Sequence, residues 1–301
     1  MDITGKQMPT TSVNNCGNYR RHRNRHLQHQ HVMVRTEPLI RNSSLWVNSG
    51  EADPMAARFP GIDSTDFLDA ITGRTSCRRC HRSRKYYCYT CYELMDGLAG
   101  RVPRVALPVD VDIIKHVQEV DGKSTAPHAV IVAPDRCSVR TFPDIPDYSD
   151  QNAVLVFPAP NARTLQHLID DYRHDVGPHP DSAVDNGSVE RADKQLPFNR
   201  VVFIDSTWRQ TNHILRDPRI SPLLANRTVI LSEHESLFWR HQRDSPRTYL
   251  STIEAIYYFF SDLQHILDER DGNGGHNDHR YDNLLFFFKH TYNKLRLKYN
   301  I

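Results

Sequence analysis

The sequence predicts an α/β fold built on a parallel sheet, and two observations carry that expectation. Four short runs are apolar or β-branched without a polar break: Ala129 to Ala133, Ala153 to Phe157, Val201 to Ile204 and Thr228 to Leu231. Unbroken runs of this length fit strands covered on both faces of a sheet. Helical stretches intervene, and alternation of strand and helix is the pattern of parallel α/β sheets.

Each helical stretch has its own signal. Arg163 to Tyr172 and Arg209 to Leu215 are short and follow strand runs. Thr252 to Leu267 is opened by the capping box Ser251-x-x-Glu254 and is apolar at Ile253, Ile256, Tyr257, Phe260, Leu263 and Ile266. A last helix, Asn283 to Tyr299, is amphipathic at its start and basic at its end through Lys289, Lys294, Arg296 and Lys298. Residues 174–197 are polar, contain Gly and Pro, and lack a period, so they are expected to form a flexible insertion.

At 301 residues, with 25% charged residues, the chain is long enough for one substantial core plus a small appendage. Net charge is only +2, so its distribution is more informative than its sum. Residues 1–50 carry seven Lys/Arg against two acids, concentrated at Arg20-Arg-His-Arg-Asn-Arg25, with no sustained apolar period. Residues 1–70 are therefore expected to be a disordered basic arm, which suggests nuclear residence, alone or shared with the cytoplasm. No run approaches a membrane span, and the N-terminus lacks the apolar core of a signal peptide. An intracellular protein with reduced cysteines and no membrane partner is expected.

Four of the six cysteines form Cys77-Arg-Arg-Cys80 and Cys88-Tyr-Thr-Cys91. Two C-x-x-C pairs supply the four thiolates that close a tetrahedral zinc site, leaving no open position for water, so a structural zinc knuckle is expected over residues 71–100. Six Lys/Arg and no acids lie from Arg74 to Lys85, beside His81, Tyr86 and Tyr87. A metal-stiffened basic surface with aromatics suits phosphate contacts and base stacking, whereas a solvated charge run is the plainer reading. Gly122-Lys-Ser-Thr125 imitates the end of a phosphate-binding P-loop, but the required earlier glycine is Val117, so a nucleotide kinase or ATPase is not expected.

The Val201 strand stops abruptly at Asp205-Ser206-Thr207-Trp208. A carboxylate, hydroxyls and an indole there would sit where open α/β sheets bind ligands, and Ser206 or Thr207 also suits a helix cap. This element resembles the D-x-T-W signature of the DTW-domain family of tRNA-uridine aminocarboxypropyltransferases. The resemblance extends in order through the cysteine cluster, Asp110-Val-Asp-Ile-Ile-Lys-His116, Asp121-Gly-Lys-Ser-Thr-Ala-Pro-His128 and Val154-Leu-Val-Phe-Pro158. It continues through Phe238-Trp-Arg-His-Gln242, Leu250-Ser-Thr-Ile-Glu-Ala-Ile-Tyr-Tyr258 and Tyr281-Asp-Asn-Leu-Leu-Phe286.

The resemblance implies a catalytic domain over 101–301 with a SPOUT-like sheet and a C-terminal trefoil knot, which no periodicity reveals. It implies transfer of the 3-amino-3-carboxypropyl group of S-adenosylmethionine to N3 of a tRNA uridine, in the D-loop around position 20, releasing methylthioadenosine. Asp205 is expected to be the base for uridine N3–H or a ligand for the cofactor α-amino group; Thr207 to cap the helix or bond the ligand; Trp208 to pack on uracil or cofactor. The cofactor pocket is expected from Phe157 and Pro158, from Leu231, and from Leu250, Ser251 and Thr252 at a helix N-terminus. Lys123, Ser124 and Thr125 are further contact candidates, and Arg240 and Arg247 candidates for phosphate or carboxylate. The rival readings are a non-catalytic RNA-binding zinc protein and a SPOUT-type tRNA methyltransferase.

Overall fold

The computed structural model describes residues 53–149, 152–176, 196–239, 246–272 and 279–299. Most of the proposed arm, residues 177–195 of the proposed insertion, and Arg240 lie outside the described residues.

The described chain opens with helix α1 (Pro54–Arg58) and a 3-10 turn (Asp66–Leu68). Two small antiparallel ribbons follow, β1 (Thr75–Ser76) with β2 (Ser83–Arg84), and β3 (Tyr87–Cys88) with β4 (Glu93–Leu94). Then come β5 (Asp110–His116), α2 (Ala126–Val132), β6 (Cys137–Phe142), β7 (Ala153–Val156), β8 (Arg163–Thr164) and α3 (Leu165–Val176). The last elements are β9 (Arg200–Asp205), α4 (Trp208–Leu215), α5 (Ser221–Asn226), β10 (Thr228–Ile230), α6 (Thr252–Arg270) and α7 (Phe286–Tyr299).

Six strands form one sheet in the order β6-β5-β9-β7-β10-β8, and every pairing within it is parallel. The α/β class and the parallel sheet agree with the sequence. Strand β9 lies between β5 and β7, both made earlier in the chain, with Lys115 opposite Asp205 and Val154 opposite Val201.

Alternation along the strands explains why the runs are unbroken. Val111, Ile113, Val201 and Phe203 face one core, shared with Ile256, Phe259 and Phe260 of α6 and Phe286 to Phe288 at the start of α7. Ile114, Leu155 and Val202 face a second core, closed by Ile214 and Leu215 of α4 and Leu223 of α5. With both faces covered, period-2 polarity disappears.

The structure corrects several expectations. Residues 129–132 belong to helix α2, with Ala133 as its C-cap, and not to a strand. Ala126, Pro127, His128, Ala129, Ile131 and Val132 are all buried, and a helix apolar all round carries no period to separate it from a buried strand. Strands β5 and β6 were not expected, because Asp110, Asp112, Lys115 and Arg140 interrupt them. Asp112 is tolerated in the interior because Arg200 Nη1 (2.9 Å), Tyr148 Oη (3.0 Å) and Arg140 Nε (3.4 Å) donate to it. Helix α3 starts at Leu165, after the short strand β8, and runs to Val176, inside the segment read as an insertion.

Residues 53–70, read as part of the arm, are packed. Met55 and Leu68 are fully buried, and the Gly61 amide donates to Asp282 Oδ2 (2.9 Å). Asp63 N–H bonds Asn283 Oδ1 (2.9 Å), and Asn293 Nδ2 donates to Asp53 Oδ2 (2.8 Å). A Cβ at Gly61 would stand 2.6 Å from His279 Cβ, so this close approach requires glycine.

Candidate active site and metal centre

Asp205 is the last residue of β9, at the carboxyl end of the parallel sheet, the side where such sheets bind ligands. It is 7% exposed and accepts hydrogen bonds from Ser124 Oγ (2.6 Å) and Thr252 Oγ1 (2.7 Å). Burial holds its carboxyl above the usual carboxylate range; Ser124, Thr252 and the charge of Lys115 oppose that shift without cancelling it. A carboxylate with raised proton affinity and two fixed donors is suited to taking a proton.

Ser124 follows a 3-10 turn and Thr252 opens helix α6, and each is fixed in turn. The 3-10 turn Asp121–Lys123 precedes Ser124, whose Oγ also accepts the Ala126 amide (3.0 Å). Thr125 Oγ1 accepts the Ile253 amide (3.1 Å), clamping the turn onto the first residues of α6. Asp121 pairs with Lys115 and accepts from Thr90 Oγ1 (3.0 Å). The P-loop look-alike therefore aims a serine at Asp205 and stitches β5 to the start of α6. Lys115 and Asp121 were missed as site residues; the only sequence signal was their place in the family runs.

Ser251 caps α6, and Glu254 completes the capping box. The buried Glu254 carboxylate gathers four donors: Ser251 N (2.8 Å) and Oγ (2.7 Å), Ser236 Oγ (2.9 Å) and Leu237 N (2.7 Å). It ties residues 236–237 to the helix start. Thr207 caps α4 in a capping box with Gln210, whose Oε1 accepts the Thr207 amide (3.0 Å). Trp208 opens that helix, and the expectation for its indole falls outside the described side chains.

Phe157 and Pro158 follow β7, and Leu231 follows β10. All lie at the same end of the sheet as Asp205, and the Phe157 amide donates to Val229 O (3.0 Å). Leu250 precedes the Ser251 cap and is half-buried. Of the predicted cofactor residues, Thr252 bonds Asp205 directly. Leu231 lines a cavity of about 180 Å³ with Ile230, Thr164, Asp262 and Ile266, a lining that does not include Asp205.

The four cysteines converge. The Sγ atoms of Cys77, Cys80, Cys88 and Cys91 all lie within 4.8 Å of one another, Cys80 Sγ and Cys88 Sγ are 3.5 Å apart, and all four are free thiols. Each pair sits on an equivalent turn, with His81 N–H bonding Cys77 O (2.8 Å) and Tyr92 N–H bonding Cys88 O (2.7 Å). The residues ending both turns, His81 (φ 56°) and Tyr92 (φ 58°), are left-handed. Burial pushes the Cys88 thiol up, but the amides of Cys91 and Thr90 and the neighbouring thiols outweigh it and bring it down to about 6. Four soft donors at this spacing fit a tetrahedral zinc ion.

The knuckle is packed against the body through its tyrosines. Tyr87 Oη meets His128 Nε2 (2.8 Å) and its ring packs on Phe287 at 4.8 Å; Tyr86 Oη meets His290 Nε2 (3.0 Å). Both rings dock the knuckle onto α2 and α7. Burial, then the charges of Asp121 and Asp205, push the Tyr92 phenol up to about 12, and Thr90 of the second knuckle turn donates to Asp121 (3.0 Å).

The chain is thus an α/β protein with a parallel sheet, a buried carboxylate at the sheet edge where such sheets bind ligands, and a four-cysteine knuckle. The DTW domain matches residues 85–296, and the chain belongs to the DTW-domain family. It is 42% identical over 209 residues to the tRNA-uridine aminocarboxypropyltransferase 1 of Xenopus laevis, covering 64% of this chain and 69% of that protein. It is 39% identical over 215 residues to the mouse (Mus musculus) protein of that name, covering 65% and 68%, and 38% identical over 205 residues to the human (Homo sapiens) one, covering 62% and 65%. No solved structure matches the chain.

Proposed function

We propose that the protein is a tRNA-uridine aminocarboxypropyltransferase that uses S-adenosylmethionine as donor and N3 of a D-loop uridine, around position 20, as acceptor. Membership of the DTW-domain family and the names of its relatives support the reaction class. The observation that carries the reading is Asp205, a buried carboxylate of raised proton affinity held between Ser124 and Thr252.

In this reading the N3–H proton passes to Asp205. The N3 electron pair attacks the methylene of the donor's amino-acid arm, and the carbon–sulfur bond breaks. Its electrons return to sulfur, so the sulfonium leaves as neutral methylthioadenosine. Selectivity for the methylene over the methyl then depends on how the methionine arm is bent. Backbone groups after Phe157 and Pro158, and after Leu231, with the capped α6 start at Leu250, Ser251 and Thr252, are suited to holding it. Thr207 orients α4 through its cap, and the role proposed for Trp208 is packing on the uracil or the cofactor. A zinc ion held by Cys77, Cys80, Cys88 and Cys91 would be structural.

Placement of β9 between β5 and β7 is compatible with the SPOUT-like, knotted sheet that the family resemblance implies. Nuclear residence is proposed from the Arg20 to Arg25 run alone. The test is nucleoside mass spectrometry of tRNA incubated with the protein and S-adenosylmethionine. An aminocarboxypropyl adduct on uridine with release of methylthioadenosine is expected; a methyl adduct or an unmodified uridine would overturn the proposal. Asp205→Asn is expected to abolish transfer while leaving tRNA affinity nearly intact.

A further inference from the structure

A second cavity, of about 430 Å³, opens between the knuckle and the turn that carries Asp121. Arg82, Arg84 and Tyr89 line it from the knuckle; Glu119, Asp121 and Gly122 line it from the turn. Arg84 is the unusual member. It is 5% exposed, its guanidinium lies 3.8 Å over the Tyr89 ring, and the ring stands against Gly122. Its Nη1 donates to Ser83 O (3.0 Å) and its Nη2 to Thr90 Oγ1 (3.2 Å), while Nε has no partner. Among the described residues no carboxylate lies within ion-pair distance of it. A buried cation without a counter-charge is costly, and such a group is normally paired or meets an anion from elsewhere.

Two carboxylates also line the cavity, but Asp121 is engaged by Lys115 and Thr90. Asp121 is shared with Lys115 and so does not by itself neutralise Arg82 and Arg84, which suit the negative charge of a phosphodiester. Arg82 is exposed, and its charge already acts on Asp121. The turn lining the cavity continues into Ser124, which bonds Asp205.

We propose that this cavity seats one backbone phosphate of the RNA strand, fixing the strand beside the nucleotide presented to Asp205. The proposal rests on the tRNA reading above. Thr90, between the two cysteines of the second pair, joins the phosphate seat to the metal centre, and Asp121 joins it to the catalytic corner.

The test is filter binding of a tRNA transcript, without S-adenosylmethionine, over a salt series, with zinc content and melting temperature measured for every variant. Arg82→Ala is expected to weaken binding several-fold and to lower the slope of log affinity against log salt by about 0.7 to 0.9, the value for one lost phosphate contact. Arg82→Glu should weaken it further. Arg78→Ala removes an equal charge that Asp96 already matches at 2.8 Å, and is expected to have less than half the effect. Inorganic phosphate at constant ionic strength should compete only weakly. An unchanged slope in both Arg82 variants, an equal effect from Arg78→Ala, or efficient competition by phosphate would each overturn the proposal. Failure of the unaltered protein to bind any tRNA would sink the functional reading itself, and tRNA binding without transfer would sink only the chemistry.

Discussion

Glu254→Ala should unfasten the wall of the proposed cofactor site, and its cost follows from the bonds it breaks. The carboxylate accepts two backbone amides, Ser251 N–H and Leu237 N–H, and two hydroxyls. Hydroxyls can rotate to other acceptors, but the amides cannot. Each buried amide left without an acceptor costs about 1 to 3 kcal/mol, so the substitution is expected to cost about 4 kcal/mol. For a chain of this size that is a fall in melting temperature of about 8 to 16 °C. Glu254→Gln keeps the shape and one acceptor oxygen and should cost about half as much. Urea denaturation followed by circular dichroism measures both, with an unchanged denaturant slope confirming that only stability moved. Because Ser236 and Leu237 lose their tie to α6, stabilisation by added S-adenosylmethionine should shrink in Glu254→Ala. A cost below about 1 kcal/mol, or equal costs for the two variants, would refute the argument that this carboxylate holds the loop.

Thr252→Val removes a donor that favours the ionised form of Asp205, so the already raised carboxyl moves higher still; the acid limb of the transfer rate should shift to higher pH, and an unmoved limb would deny Asp205 the role of base. Chelation, or Cys80→Ser, should release one zinc per chain and lower the melting temperature; absence of zinc from the purified protein, by elemental analysis, would exclude the metal centre. Burial pushes His128 down to about 3 and His290 down to about 4, below the unfolded value of 6.5. The unfolded chain therefore binds more protons as pH falls below about 6.5, and stability should decline by up to about 1.4 kcal/mol per unit and histidine towards pH 4. Urea midpoints across that range, with and without His290→Gln, measure it.

How much of this was legible depended on whether the signal was local. The cysteine quartet, the capping box at Ser251 and Glu254, and the strands around Val154, Val201 and Val229 all announce themselves within a few residues. Helix α2 did not, because burial on every side erased its period. Strand β5 did not, because Asp112 survives in the interior only through Arg200, Tyr148 and Arg140, contributed from elsewhere in the chain. The same holds at the site. Asp205 was singled out by its tetrapeptide, while its bond to Ser124, 81 residues away, is set by the three-dimensional path of the chain. Tyr86 and Tyr87 were read as surface because their neighbours are charged; their partners, His128 and His290, lie far along the sequence.

The position of β9 in the sheet also governs how the chain can be made. About 80 residues separate the end of β5 at His116 from the start of β9 at Arg200. The slot exists once β7 ends at Val156, about 44 residues before β9 begins, so at roughly 5 to 20 residues per second a ribosome leaves it unfilled for some 2 to 9 seconds. During that interval two apolar strand edges stand open, the condition under which nascent chains aggregate or recruit chaperones. Translation rate, as well as sequence, is therefore expected to set the yield of this protein.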